Sequence, residues 1–246
     1  MKNKTIAVWF SCGAASAVAV KQTIEKYSKE YNILVVNNPV KEEHEDNLRF
    51  LKDIEEWIQF PIIQAKCKEF PSASIVDVFE KRRYMEGIKG APCTYMLKKQ
   101  ARFEFEKTHT IDFNVLGFTV DEWLRQKKFN TRERTNTIPV LVSSLTTKED
   151  CFKELQKANL KLPEIYSLGY PNANCIGCVK ATSPTYWNLV RNTFPDEFER
   201  RAEQSRRIGA RLVRVKGKRI FLDELKSTDM GGKIKSWECG IFCDTI

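Results

Sequence analysis

At 246 residues, 42% hydrophobic and 11% aromatic, the chain can bury a sizeable core, which excludes wholesale disorder. No apolar run approaches the ~20 residues that cross a bilayer, and Met1-Lys2-Asn3-Lys4 passes at once into IAVWF, so neither a membrane span nor a secretory leader is expected. A net charge of +9 favours anionic partners, nucleotide or nucleic acid, and eight cysteines without secretory features point to the cytoplasm, where thiols serve as ligands or nucleophiles.

The first element is a short apolar run, Ile6 to Phe10, stopped by Ser11-Cys12-Gly13-Ala14-Ala15-Ser16 and followed by the helical pattern AVAVKQTIEKY. A second run, Ile33 to Asn38, ends at Pro39. The charged segment after it repeats Leu48, Leu51, Ile54 and Ile58 at helical spacing. This β-α-β-α order predicts an α/β fold with a parallel sheet covered by helices. SIVDVFEKRRYM and KKQARFEFEK read as helices, and Ile111 to Phe118 reads as a strand leading into Asp121 to Arg125. RERTNT, Arg132 to Thr137, is a polar loop. Thr147 is a plausible N-cap for the next helix, with Asp150 three residues on. The turn-rich PNANCIGC marks a soft boundary near Pro171. Beyond it two helical pieces meet near Pro195, and RLVRVKGKRIFLDEL alternates around Lys216-Gly217 as a hairpin does. The expected organisation is a nucleotide-binding core over 1–170 and a helical and hairpin region over 171–246 that carries a Cys-x-x-Cys and a cysteine-containing tail.

Small residues after a strand let the backbone approach a ligand, and the N–H groups opening the next helix suit an anion. The pattern Ser-x-Gly-x-x-Ser alone fits a serine-capped tight turn as well as a phosphate cradle. Ligands of such sheets bind at the carboxyl ends of the strands, which brings in Asn37 and Gly117. Glu45 and Asp46, which follow the second strand, fit a solvated helix start. Cys175-x-x-Cys178 has the spacing for a shared metal and equally for a redox dithiol. Cys67 and Cys151 read as packing residues, and His44 and His109 as surface or capping residues.

The Ser11 to Ser16 segment resembles the pyrophosphate loop of the adenine nucleotide alpha hydrolase superfamily, which includes ATP pyrophosphatases, the PP-loop enzymes, and reductases of adenylylated sulfate. Its ATP-using members carry Ser-Gly-Gly-x-Asp-Ser, whereas this chain has Cys12 for the first Gly and Ala15 for the Asp. That change tilts the resemblance toward members that bind an already activated sulfonucleotide. PEIYSLGYPNANCIGCVKAT, from Pro163, is similar to the stretch of bacterial sulfonucleotide reductases in which Gly-Tyr precedes Cys-x-x-Cys. APCTYMLKKQ resembles their cysteine segment, with one cysteine, Cys93, where the family has two. Glu238-Cys239-Gly240-Ile241 resembles their reactive tail, with Phe242 in place of His.

The resemblance implies a Rossmann-like core, with the nucleotide on Ser11, Cys12, Gly13, Ala14, Ala15, Ser16, Asn37 and Gly117, helped by Arg125 and Lys98. Glu45 and Asp46 could equally contact a ribose, as members of the family do at that edge of the sheet. It implies Cys239 as nucleophile, activated by basic neighbours such as Lys233 and Lys235 and released by a thioredoxin-like reductant. A 4Fe–4S iron-sulfur cluster would sit on Cys93, Cys175, Cys178 and Cys243. A closed zinc site on Cys175, Cys178, Cys239 and Cys243 is an alternative, and so is a cluster on three cysteines with one open iron. The first expectation is therefore a phosphoadenosine phosphosulfate (PAPS) or adenylylsulfate (APS) reductase. The second is an ATP pyrophosphatase, using ATP with Mg²⁺, that adenylates a tRNA or DNA and inserts sulfur, with Arg206 to Arg219 on the nucleic-acid backbone. The third is a nonenzymatic, zinc-stabilised nucleotide or nucleic-acid binder. Homo-oligomerisation stays open.

Overall fold

The computed structural model describes residues 4–86, 90–232 and 234. In chain order the elements are β1 (Thr5–Phe10), α1 (Ala14–Tyr27), β2 (Asn32–Asn37), α2 (Asp46–Ile58), β3 (Ile62–Gln64), α3 (Ile75–Arg82) and the single turn α4 (Pro92–Thr94). A π-helical turn, Tyr95–Gln100, leads into α5 (Ala101–Glu106), then β4 (Phe113–Val115), α6 (Trp123–Arg132), α7 (Val140–Ser143) and α8 (Lys148–Lys157). The chain closes with α9 (Pro184–Thr193), α10 (Pro195–Ile208), β5 (Val213–Val215) and β6 (Lys218–Ile220). Two compact units divide it: the first takes Met1–Pro39, Glu45–Lys68 and Gln100–Glu164, the second Val40–His44, Glu69–Lys99 and Ile165–Ile246.

The first unit is a parallel sheet of order β3-β2-β1-β4. β1 lies inside the sheet, pairing Val8 with Val35 on one side and with Val115 on the other. A strand buried on both faces must be apolar throughout, and Ile6 to Phe10 are all buried. Each of its large side chains contributes about 1.5–3 kcal/mol by leaving water. α1 follows with Ala14, Ala17 and Ala19, small enough for close packing, and joins Phe50 and Ile54 of α2 and Leu155 of α8 in one core. On α2 the buried stripe is Asn47, Phe50, Ile54 and Ile58, while Leu48 is exposed. Steps of three, four and four keep that stripe on one face, whereas counting from Leu48 drifts off it. Asp46 sits in the first turn of α2, where it accepts from Arg49 Nε at 2.6 Å and from the Glu164 amide at 2.8 Å. α8 opens on the capping box of Thr147 and Asp150.

The strand order changes direction at β1: the chain runs outward through β2 and β3, then returns to place β4 on the other side. In an open parallel sheet that reversal leaves a crevice beyond the carboxyl ends of the two strands that flank it. Here those ends are Phe10 and Val115.

The second unit is built on α3, α9, α10 and the antiparallel β5–β6 hairpin. Lys216 and Gly217, both at positive φ (47° and 82°), form the two-residue turn that the right-handed strand twist favours. Trp187 is fully buried and donates from Nε1 to the Ala181 carbonyl at 2.8 Å. The segment Val40–His44 belongs to this unit through Glu42, which is buried. Its carboxylate accepts from Ser74 Oγ at 2.6 Å and from the Ile75 amide at 2.9 Å, so it caps α3 together with Ser74.

Candidate functional site

In the first unit the turn after β1 is held by one hydroxyl. Ser16 Oγ donates to the Gly13 carbonyl at 2.9 Å and accepts from the Ser11 amide and the Ser11 hydroxyl, each at 3.1 Å. That bonding is saturated, so Ser16 shapes the turn. Cys12 takes φ 55°, a left-handed conformation that costs a non-glycine residue about 1–2 kcal/mol. It stands where the resembled loop has glycine. Asn37 Nδ2 braces it, donating to the Phe10 carbonyl at 2.9 Å and reaching Cys12 Sγ at 3.7 Å. Asn37 is thus a support of the turn.

α1 then begins with Gly13 as N-cap, no side-chain cap and no acidic residue in its first turn. α3 and α8, by contrast, are capped by Ser74 and Thr147. A helix start whose N-cap supplies no side-chain bond turns the positive end of the helix dipole outward, which suits an anion. Ser11 is exposed and Ala15 half-buried, so this end is accessible. Gly117, just past β4, completes it: a Cβ at that position would lie 2.7 Å from the Ser16 nitrogen and 2.8 Å from its Cα. Only glycine lets the end of β4 lie against the start of α1. Arg125 is in the same unit, bonded to Glu122 Oε1 at 2.8 Å with its guanidinium 4.9 Å over the Phe118 ring.

The second unit holds Cys93, Cys175 and Cys178. Cys93 lies in the single turn α4, behind Pro92 at its start. The Cys175–Cys178 loop turns at Gly177, φ +67°, and is tied down by Ile176 N–H on the Glu42 carbonyl at 2.8 Å and by Cys178 N–H on Tyr186 Oη at 2.8 Å. Burial, with Cys178 beside it, pushes the Tyr186 phenol well above its ordinary value, so it stays a neutral hydroxyl. Arg201 of α10 is buried against this loop: its Nε lies 3.8 Å from where a Gly177 Cβ would stand. Its Nη1 donates to Gln204, and its guanidinium is 5.2 Å from the Phe79 ring centroid. Burial depresses its pKa, while Glu42 and Cys93 act in the opposite sense. Its Nε and Nη2 have no hydrogen-bond partner among the described residues.

A buried guanidinium with two unpartnered nitrogens, beside Gly177 and within the field of Cys93, suits a negatively charged thiolate-bound group. The donor chemistry therefore fits an iron-sulfur cluster or a metal thiolate. Among the described residues no group of three or more Cys, His, Asp or Glu side chains is gathered closely enough to hold a metal ion. Cys239 and Cys243, and with them the expected nucleophile and fourth ligand, lie outside the described residues, as do Lys233 and Lys235.

Lys98 is part of the second unit, buried, with its Nζ 3.8 Å from Glu43 Oε1. Cys151 is a packing residue of the first unit, its thiol pushed up to about 12 by burial, and Cys67 is buried as well. Sequence reasoning missed Arg201, Glu42 and Tyr186. For Arg201 a signal existed: it falls on the stripe Phe198, Arg201, Ala202, Ser205 that α10 buries.

Fold and turn together define the class: a parallel, Rossmann-like α/β protein whose sheet reversal carries a glycine-opened helix start. Among solved structures the chain is similar to the U34-tRNA thiolase NcsA from Methanococcus maripaludis with its 4Fe–4S cluster, at 12% identity and a TM-score of 0.45, over 85% of this chain and 72% of that one. No family model and no curated protein matches the sequence. Among the described residues no helix is long and apolar enough to cross a membrane.

Proposed function

We propose that the chain is a PP-loop sulfurtransferase that activates a nucleic acid with an adenine nucleotide and inserts sulfur. The observation that carries the choice of acceptor is the β5–β6 hairpin. Arg211, Arg214, Lys216, Lys218 and Arg219 are all exposed on it, and Arg214 pairs directly opposite Arg219. Like charges in register destabilise a hairpin unless an anion lies across them. No acidic side chain among the described residues forms an ion pair with any of the five, whereas Arg206 pairs with Asp223 and Glu224, and Arg207 with Glu80. The basic stretch available to a polyanion thus runs from Arg211 to Arg219.

In this reading the Ser11 to Ser16 turn holds nucleotide phosphate on the α1 N–H groups, with Gly117 and Asn37 fixing its shape. An acceptor oxygen attacks the α-phosphorus and pyrophosphate leaves; a sulfide then replaces that oxygen and AMP leaves. Cys93, Cys175 and Cys178 would hold the cluster, with Cys243 as the fourth protein ligand or that position left open, and Arg201 balancing its charge. When bound there, a cluster supplies the sulfide carrier.

The test is AMP and pyrophosphate release from ATP by anaerobically reconstituted protein, with and without added tRNA or DNA. Release that depends on the nucleic acid is the expected result. Sulfite release from an adenylylated sulfate with no acceptor-dependent AMP would overturn it in favour of a second reading, a PAPS or APS reductase acting through Cys239. That second reading is supported by the absence of an acidic residue in the first turn of α1.

A further inference from the structure

α6 offers a surface that neither the nucleotide turn nor the basic hairpin uses. Its sequence, WLRQKKFNTR, contains four basic residues and no acidic one. Only Gln126 and Phe129 are buried. Trp123 is 50% exposed and Leu124 56%, and Lys127, Lys128 and Arg132 are exposed too. Side chains four apart share a helix face, so Trp123 lies above Lys127, and Leu124 above Lys128 and Arg132. The two columns form a strip about 13 Å long, aromatic at its start and cationic along the rest. Arg125 is not part of it, being turned onto Glu122 and the Phe118 ring. Lys127, Lys128 and Arg132 form no ion pair among the described residues.

An exposed tryptophan forgoes a large burial gain, and the charges beside it indicate what can cover it. Membrane-lying helices carry an apolar face along their whole length, and here the exposed apolar residues stop after Trp123 and Leu124. A flat ring followed by cations matches a nucleic acid strand with an unstacked base: the base stacks on the indole and the phosphates follow the lysines. Duplex bases offer no free face to such a ring. The strip also lies on the right edge of the sheet. Gly117, whose backbone touches Ser16, is six positions before Trp123, a reach of at most roughly 20 Å.

We infer that α6 is the docking strip for an unpaired stretch of the acceptor, with Trp123 stacking a base and Lys127, Lys128 and Arg132 holding phosphates. The inference rests on the reading that the acceptor is a nucleic acid. The experiment measures fluorescence anisotropy of the full chain with a labelled 12-nucleotide single strand, as RNA and as DNA, and with the matching duplexes. Trp123→Ala weakens single-strand binding by about 5- to 150-fold and duplex binding much less, while Trp123→Phe retains most of the affinity. Lys127→Ala with Lys128→Ala lowers the slope of log affinity against log salt by about 1.4. Thermal melts of these surface variants match the wild type. Tight single-strand binding that Trp123→Ala and the lysine pair leave unchanged overturns the docking strip and leaves the proposed function standing. An equal loss on duplex and single strand overturns the stacking role. Self-association of the chain that Trp123→Ala abolishes, with nucleic-acid binding intact, makes the strip a protein interface instead. A wild type that binds neither form at 50 mM salt overturns the nucleic-acid reading and the inference together.

Discussion

Gly117→Ala tests whether the crevice at the sheet reversal is as tight as its geometry states. Gly117 carries no positive φ, so an added methyl meets no backbone penalty and the cost is purely steric. The new Cβ would stand 2.7 Å from the Ser16 nitrogen, 2.8 Å from its Cα and 3.0 Å from the Ala15 carbonyl carbon. All three are backbone atoms and cannot rotate aside. Restoring an ordinary contact of 3.4 Å requires β4 and the start of α1 to part by about 0.7 Å. Overpacking of this kind costs about 1–3 kcal/mol. At about 2–4 °C per kcal/mol for a chain of this size, the melting temperature falls by roughly 2–12 °C. The same displacement moves the α1 N–H groups away from a bound phosphate, and losing one such charge-assisted bond lowers nucleotide affinity by about 10-fold or more. Thermal melting and calorimetric titration with AMP and ATP read the two effects. Gly232→Ala, where nothing lies within 4 Å of the added methyl, is the control and stays within about 0.5 kcal/mol. A Gly117→Ala protein that melts and binds nucleotide like the wild type would refute both the contact and its role.

Two further outcomes follow from charged side chains. Arg201→Met removes a guanidinium with unpartnered nitrogens, so iron bound after anaerobic reconstitution passes to a chelator about tenfold faster, while Arg201→Lys stays near wild type; equal release by all three proteins would remove Arg201 from the cluster's surroundings. Asp46, its carboxyl lowered to about 2 by the Arg49 hydrogen bond, contributes stability that is complete above about pH 4 and lost as pH falls through about 2. Asp46→Asn therefore costs about 1–3 kcal/mol at pH 7 in urea melts and nearly nothing at pH 2, and a pH-independent difference would contradict the ion pair.

The elements that the sequence disclosed are those whose signal is local. β1 and β2 are short apolar runs stopped by turn residues, α8 opens on Thr147 and Asp150, and the hairpin turns at Lys216-Gly217. β3 stayed hidden because Ile62–Gln64 is three residues long and not fully buried, too short to alternate visibly. α6 was concealed for a related reason: two buried positions in ten residues set no apolar period. Val40–His44 belongs to the second unit through contacts distant in sequence, the Glu42 carboxylate on Ser74 thirty-two residues away and the Lys41 amide on the Ala73 carbonyl among them, and nothing local announces that. The turn after β1 was legible as residues, yet the reason Gly117 must be glycine lies in its contact with Ser16, distant in sequence. The spacing of Cys175 and Cys178 was legible, but it suits a shared metal and a redox dithiol equally. Arg201 was legible only as a position on the stripe that α10 buries, because an arginine in ERRAEQSRR otherwise reads as solvent-facing.

The turn and its surroundings also bear on what kind of nucleotide they suit. A site that cleaves ATP commonly steadies the Mg²⁺ that bridges the phosphates with an acidic side chain. Here the first turn of α1 has none, and Ala15 occupies the position at which the resembled ATP-using loop has Asp. The acids that follow β4 are engaged: Asp121 accepts from the Lys148 amide at 3.2 Å, and Glu122 holds Arg125. Asn37, at the end of β2, is occupied with the Phe10 carbonyl and Cys12. The turn thus meets an anion with backbone N–H groups and the helix dipole, which suffices for binding a phosphate and supplies no carboxylate for Mg²⁺. Under the sulfurtransferase reading the Mg²⁺ must therefore arrive on the ATP phosphates themselves. Under the reductase reading it is not needed. Metal dependence of nucleotide turnover is for this reason the property that separates the two chemistries most directly.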